Sequence, residues 1–355
     1  TRAFVLRRNA SGYPVVDLVS NTGIVIATSA AFNSVISTYD SVPGLVRVPG
    51  SNTDAVVVWS HANTQVAAIV VRDAGSSVTL GALVSLGSFT YCLYQAASAL
   101  TAEKIIVGYT TDNAGATAAR VLTLSGTSIT VGTQATVNLG GGAATSLRMA
   151  TLLAGNGGRM ALGYSGTLSA GGSYSYRTAV LTESAATLVT SENIVLFTPP
   201  YAGASGCDAK GDLARTADNA LLIASGSKGD ANVGIAGGAA KLVAANYAGN
   251  AMRTAAVALI DGAGPNIAGS TGHRLRRLSA STCLRAFGTN AVEPLYLQAI
   301  DSSTLAQSAM SGRIANAYSF DFDIFDGANT ALVAYSNLAN SNYITIKTVA
   351  LGTVA

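Results

Sequence analysis

The 355-residue chain is 49% hydrophobic and only 11% charged, with 38 glycines and a formal net charge of +3, whereas an ordinary globular protein is about 25% charged. No run of Lys or Arg could follow a phosphate backbone, and no stretch approaches the roughly 18 consecutive apolar residues of a spanning helix, so neither nucleic acid nor membrane insertion is expected. Cys92, Cys207 and Cys283 are odd in number and far apart, which excludes a disulfide framework and a zinc knuckle.

In chain order, one short pattern recurs: an apolar run closed by an aromatic or small residue and followed by a polar turn. Its seven copies are Ala3–Arg7, Ala55–Trp59, Ile105–Tyr109, Met160–Tyr164, Leu221–Ser225, Cys283–Phe287 and Ala331–Tyr335, spaced 48 to 62 residues apart. A four-stranded propeller blade occupies about 40 to 50 residues, and loop insertions account for the excess. A second apolar run follows most copies, at residues 65–72, 118–124, 176–182, 252–260, 294–300 and 343–350. Further runs lie across Gly or Ser turns, such as the one at Ser128, and ahead of the copies, such as the one at Ser146 before the Gly155–Gly158 turn. Val, Ile, Thr and Tyr between Gly, Asn and Asp punctuation favour strands over helices.

Four strands per repeat, here A to D, predict an all-β chain: a single β-propeller over residues 1–355, with seven blades and six as the alternative. A β-sandwich or a solenoid competes with this reading, because short regular strands are common to all three. The first repeat lacks an A strand and the last lacks most of a D strand, as when two termini share a blade. The start at Thr1, without a Met or signal motif, points to processing or excision from a longer protein.

The fifth repeat is irregular. Two long excursions, 198–211 and 226–250, read as loop insertions on one face. They carry Tyr201, Asp208, Lys210, Lys228, Asp230, Lys241 and Tyr247 among small residues, a composition suited to recognition. Arginines also recur ten to sixteen residues ahead of the closing residue of the B strand, as Arg47, Arg148, Arg215 and Arg276. Either they line a channel and bind an anionic partner, or each packs its stem along its own sheet. Trp59 and the tyrosines at its offset read as core between blades.

The stretch from Ala119 to Val137, after the Val107-Gly-Tyr strand and the Thr111-Asp-Asn-Ala-Gly loop, resembles repeats in propeller-like tail and structural proteins of bacteriophages. Weaker copies lie at Ala68–Leu86 and Arg177–Phe197. This resemblance implies a virion component, such as a tail-fibre or receptor-binding module, whose partners are other virion proteins or a host-surface glycan or protein, with self-association open. The alternative is a secreted or cell-surface bacterial lectin.

Catalytic motifs are sparse. Only His61 and His273 are present, and no zinc-binding spacing, nucleophile elbow or phosphate loop occurs. No cofactor or metal is expected, and the chain reads as a non-enzyme. A glycan-cleaving enzyme stays as the third reading, because a propeller can bring together distant carboxylates such as Asp54, Asp112, Asp208, Asp230 and Asp323. The segment Ser319–Asn329 resembles a calcium loop in composition, but Asp321 and Asp323 alternate with Phe320, Phe322 and Ile324 as in a strand that ends in an Asp326-Gly327 turn.

Overall fold

The computed structural model describes residues 2–32, 44–61, 64–92, 94–112, 116–137, 144–167, 174–184, 187–190, 194–197, 211–225, 241–259, 273–288, 293–325, 329–337 and 343–353. The chain is all-β, with the seven blades of a β-propeller. Among the described residues the sole helical element is a short 3-10 turn at Leu351–Thr353.

The first blade contains β1 (Arg2–Arg8), β2 (Pro14–Ser20) and β3 (Val25–Thr28), paired in that order. In the second, β4 (Gly44–Arg47), β5 (Asp54–His61) and β6 (Gln65–Asp73) are followed by an outer strand in two pieces, β7 (Val78–Leu80) and β8 (Val84–Ser88), both paired to β6. The third repeats this plan with β9 (Gln95–Ala99), β10 (Lys104–Thr110), β11 (Thr117–Ser125), β12 (Ser128–Val131) and β13 (Ala135–Val137). So does the fourth, with β14 (Ala144–Leu153), β15 (Arg159–Thr167), β16 (Tyr174–Ser184), β17 (Thr187–Thr190) and β18 (Ile194–Phe197).

The fifth blade is β19 (Asp212–Ala217), β20 (Ala220–Ser225), β21 (Lys241–Ala248) and β22 (Ala251–Leu259), in that order. The sixth and seventh form one hydrogen-bonded sheet of β23 (His273–Arg277), β24 (Thr282–Gly288), β25 (Glu293–Asp301), β26 (Ala315–Ile324), β27 (Thr330–Asn337) and β28 (Tyr343–Ala350). Within it β26 has two partners: Ala315–Ala317 pairs with β25, and Phe320–Ile324 pairs with β27 after a register shift. Six of the seven sequence copies lie inside the second strand of their blade, namely β5, β10, β15, β20, β24 and β27, and the first copy lies in β1, at the edge of its sheet.

Both faces of these second strands are covered, so they read as apolar runs, with Arg285 of β24 the one charged residue within their copies. In β5, Val57 and Trp59 pack with Val16, Leu18 and Phe32 of the first blade. The alternate residues Val56 and Val58 pack with Ile105, Val107 and Tyr109 of the third. Trp59, Tyr109, Tyr164 and Phe287 are fully buried, so the closing aromatics are core. Burying one such side chain contributes roughly 1.5–3 kcal/mol, and repeating this layer after layer stabilises a chain with few charges.

The chain divides into two compact units, one of residues 2–162 and 179–193, the other of residues 163–178 and 194–355, the division falling within β15 and β16. In the first unit the layers lie between successive sheets, as described for β5. In the second, Ala214, Leu222, Ala224 and Leu242 of the fifth blade pack with Leu275, Cys283 and Ile300 of the sixth, and Leu284, Ala286, Leu295 and Leu297 pack with Phe320, Phe322, Ala331 and Val333.

One expectation is corrected in the fifth blade. Residues 241–248 are not part of a loop insertion but the third strand, β21, paired to β20 on one side and β22 on the other. The apolar run near Met252, taken from the sequence as the strand after β20, is therefore the outer strand. Ala-rich β21 was hidden because its small side chains blend with the Gly- and Ala-rich segment ahead of it.

Candidate functional site

Charged side chains concentrate where the first strands of the fifth, sixth and seventh blades lie together. In β23 the order His273-Arg-Leu-Arg276 places Arg274 and Arg276 on one face and His273 and Leu275 on the other. In β26, Phe320 and Phe322 are buried while Asp321 and Asp323 alternate with them on the exposed side. Asp212, at the start of β19, completes the group.

Arg276 is the hub. Its Nη2 donates to Asp321 Oδ1 at 2.8 Å, its Nη1 lies 3.5 Å from Asp212 Oδ2, and its Nε lies 3.8 Å from Asp323 Oδ1. Nη1 also donates to the Leu275 carbonyl at 2.8 Å, and the guanidinium sits 5.6 Å from the centroid of the Phe322 ring. Arg274 Nε approaches Asp321 Oδ1 at 3.8 Å, and its guanidinium lies 5.9 Å from the Phe320 centroid. Burial draws the pKa of Arg276 down, but Asp321, Asp212 and Asp323 outweigh it and hold the guanidinium above its usual range.

The cluster grades from protein to water. The side chains of Asp212, Arg276, Asp321 and Asp323 are 7%, 32%, 52% and 77% exposed. Asp212 Oδ2 also accepts from Leu275 N at 2.8 Å, which fixes the inner end. All contacts of Asp321 run through Oδ1, including one from Phe322 N at 2.8 Å, and Oδ2 has no protein partner among the described residues. The result is a half-exposed carboxylate held rigidly beside a guanidinium, with an acceptor left over for a hydroxyl or other donor.

The other sequence candidates are placed differently. Tyr201, Asp208, Lys210, Lys228 and Asp230 lie outside the described residues. Lys241 opens β21, and Tyr247 sits near its end, its amide donating to the Asn219 carbonyl at 2.7 Å. Both therefore belong to a strand and not to a recognition loop. Asp54 accepts from Nε and Nη2 of the Arg72 guanidinium at 2.6 and 2.9 Å, and Asp112 caps its own turn by accepting from Ala116 N at 2.8 Å.

The four recurring arginines are not equivalent. Arg47 pairs with Ala55 and Arg215 with Leu221, the first residues of their sequence copies, whereas Arg276 pairs with Leu284, the second residue of its copy. One step along a strand reverses the face, so Arg277, opposite Cys283, is the counterpart of Arg47 and Arg215. Arg148 donates to the Leu147 carbonyl at 2.9 Å, Arg47 reaches Asn52 at 3.3 Å, and Arg215 pairs with Asp218. Sequence reasoning missed Asp212 and Arg274; the available signal was the matched spacing of Arg274-x-Arg276 and Asp321-x-Asp323.

No protein-family model matches the chain, and no curated protein is significantly similar to it. Solved structures do match, over nearly its whole length. A lectin from Burkholderia pseudomallei is 12% identical, with 99% of this chain and 93% of that chain covered and a TM-score of 0.68. The periplasmic gluconolactonase of Pseudomonas aeruginosa is 13% identical, with coverage of 99% and 96% and a TM-score of 0.57. A Hadza microbial sialidase is 10% identical, with coverage of 98% and 75% and a TM-score of 0.54. The expectation that the chain is a non-enzyme is thereby overturned: two of these three structures are enzymes, and missing sequence motifs do not exclude catalysis on this fold. None of the three bears on a place in a virion. What the likeness establishes is the architecture: the chain is a β-propeller, of a fold shared by sugar-binding and catalytic proteins.

Proposed function

We propose that the chain is a glycan-binding propeller whose recognition group is Arg276 with Asp321 and Asp323. The observation that carries this reading is the arrangement at Asp321, where Oδ1 is fixed by Arg276 and Phe322 N while Oδ2 remains as an acceptor on a half-exposed side chain. Sugar hydroxyls donate and accept at once, so a carboxylate and a guanidinium side by side match a vicinal pair. The pre-formed Arg276 network means that little ordering is required on binding. The fold likeness to a lectin supports the same reading.

A glycan array probed with the labelled full chain tests it. The wild type should retain a defined subset of glycans, and Asp321→Asn and Arg276→Lys should each lose at least tenfold in affinity while melting within a few degrees of the wild type. An array without binding, or variants that bind as well as the wild type, would remove the proposal. Product analysis after incubation with any retained glycan reads whether binding leads on to cleavage.

A further inference from the structure

The face of the sixth blade opposite Arg274 and Arg276 contains a positive charge with no counter-charge among the described residues. Arg285, in β24, is fully buried, and its Nη2 donates to Gln298 Oε1 at 2.7 Å. Its Nε and Nη1 have no hydrogen-bond partner among the described residues. Among the described residues no carboxylate pairs with it, and the Phe287 ring lies against it, its centroid 3.9 Å from the guanidinium carbon. A ring face attracts the cation but cannot accept from N–H groups that point outward in the guanidinium plane.

His273 shares this face. It pairs across β23 and β24 with Phe287, while Leu275 pairs with Arg285, so the imidazole is a diagonal neighbour of the guanidinium. It is buried, and its Nδ1 also has no partner among the described residues. Gln298 cannot turn to help, because its Nε2 donates to the Ser308 carbonyl at 2.9 Å. In the same layer the fifth blade contributes Ala214 and Ala224, side chains too short to reach in. Asp212, a carboxylate of the fifth blade, is engaged by Leu275 N and Arg276.

A buried guanidinium with two idle nitrogens and no carboxylate is strongly disfavoured unless something anionic satisfies it. We propose that Arg285 and His273 form a buried anion site, taking a halide or a small oxyanion that accepts from Arg285 Nε and Nη1 and from His273 Nδ1. Without an anion, burial and the neighbouring Arg285 and Arg274 push the imidazole pKa down to about 3, and burial pushes Arg285 down to about 9. An anion would relieve both. The site is independent of the Arg276 group and of the glycan reading.

The test is thermal melting of the full chain, dialysed into a zwitterionic buffer, against increasing chloride, acetate and phosphate at matched ionic strength. At least one of these anions should raise Tm by about 4 °C at one hundred times its Kd, the rise continuing with the logarithm of concentration, and Arg285→Met should abolish this anion-specific rise. Identical responses to all three anions that follow ionic strength alone would overturn the proposal, as would an anion-specific rise that survives in Arg285→Met. Should that variant not fold, isothermal titration of the wild type with the most effective anion decides: one site per chain supports the proposal, and no saturable heat overturns it.

Discussion

Lys104 Nζ and Glu183 Oε1 lie 2.9 Å apart although 79 residues separate them, joining the start of β10 to the end of β16. The Glu183 side chain is only 2% exposed, against 22% for Lys104. Its Oε2 accepts from Gly157 N at 2.7 Å, and Lys104 also reaches Asn156 Oδ1 at 3.1 Å. The pair therefore clasps the turn between β14 and β15. Lys104→Met should strand a buried carboxylate and cost roughly 2–4 kcal/mol, because breaking a buried pair is far more harmful than breaking a surface one. Urea unfolding of wild type and variant measures this, and an unchanged midpoint would show that the clasp is not needed.

The clasped turn also leaves no room for a side chain. A Cβ on Gly158 would come within 2.4 Å of the Leu153 carbonyl oxygen and 2.6 Å of that of Gly155. Both obstacles are backbone, so they cannot swing away. Gly158→Ala should therefore lower stability by about 1–3 kcal/mol, readable as a reduced Tm. Gly126→Ala serves as a contrast: its Cβ meets open space, and only the left-handed backbone at φ 60 opposes it.

Stability should fall with acid through His273. With no anion bound, its folded pKa, about 3, lies below the ordinary 6.5 because burial, Arg285 and Arg274 all oppose its charge. Between those values the unfolded chain binds a proton that the folded chain does not, so the contribution is complete above pH 6.5 and is lost as pH falls toward 3. The folded-to-unfolded ratio should drop roughly tenfold per pH unit across this window. His273→Gln should flatten that part of the profile. A variant whose stability falls as steeply as that of the wild type between pH 6.5 and 4 would count against the assignment.

Cys92 and Cys283 are buried free thiols, their pKa values pushed by burial up to about 12 and about 11. The thiolate is the reactive form. In a Cys207→Ser background, native protein at pH 8 should give almost no reaction with an aromatic disulfide reagent over an hour, and two equivalents in denaturant. Rapid labelling of native protein would mean that these layers open far more readily than their packing implies.

The sequence revealed the repeat because strands such as β5 and β10 are covered on both sides, and the run Ala55–Trp59 leaves no place for a polar residue on either. The fifth blade misled for the opposite reason: β21 uses alanine where other blades use valine or leucine, so burial left little hydrophobic signal. The arginine recurrence was visible, but its offset varied, and parity along a strand decides which face a side chain takes. The Arg276 cluster was only half legible. Asp321 and Asp323 stood out as an alternating pair, yet their link to Arg276 and Asp212 joins three strands separated by 45 and 64 residues, a closeness that no local pattern encodes.

Sharing β26 between two blades has a consequence for how this region comes apart. Because Ala315–Ala317 holds β25 and Phe320–Ile324 holds β27, neither blade can shed the strand without disturbing the other's hydrogen bonds. The last two blades then behave as one foldon, opening together or not at all. Amide protons at Leu295 and Val333, 38 residues apart in sequence, would exchange with a common free energy, and a proteolytic nick within β26 would release both blades in a single event.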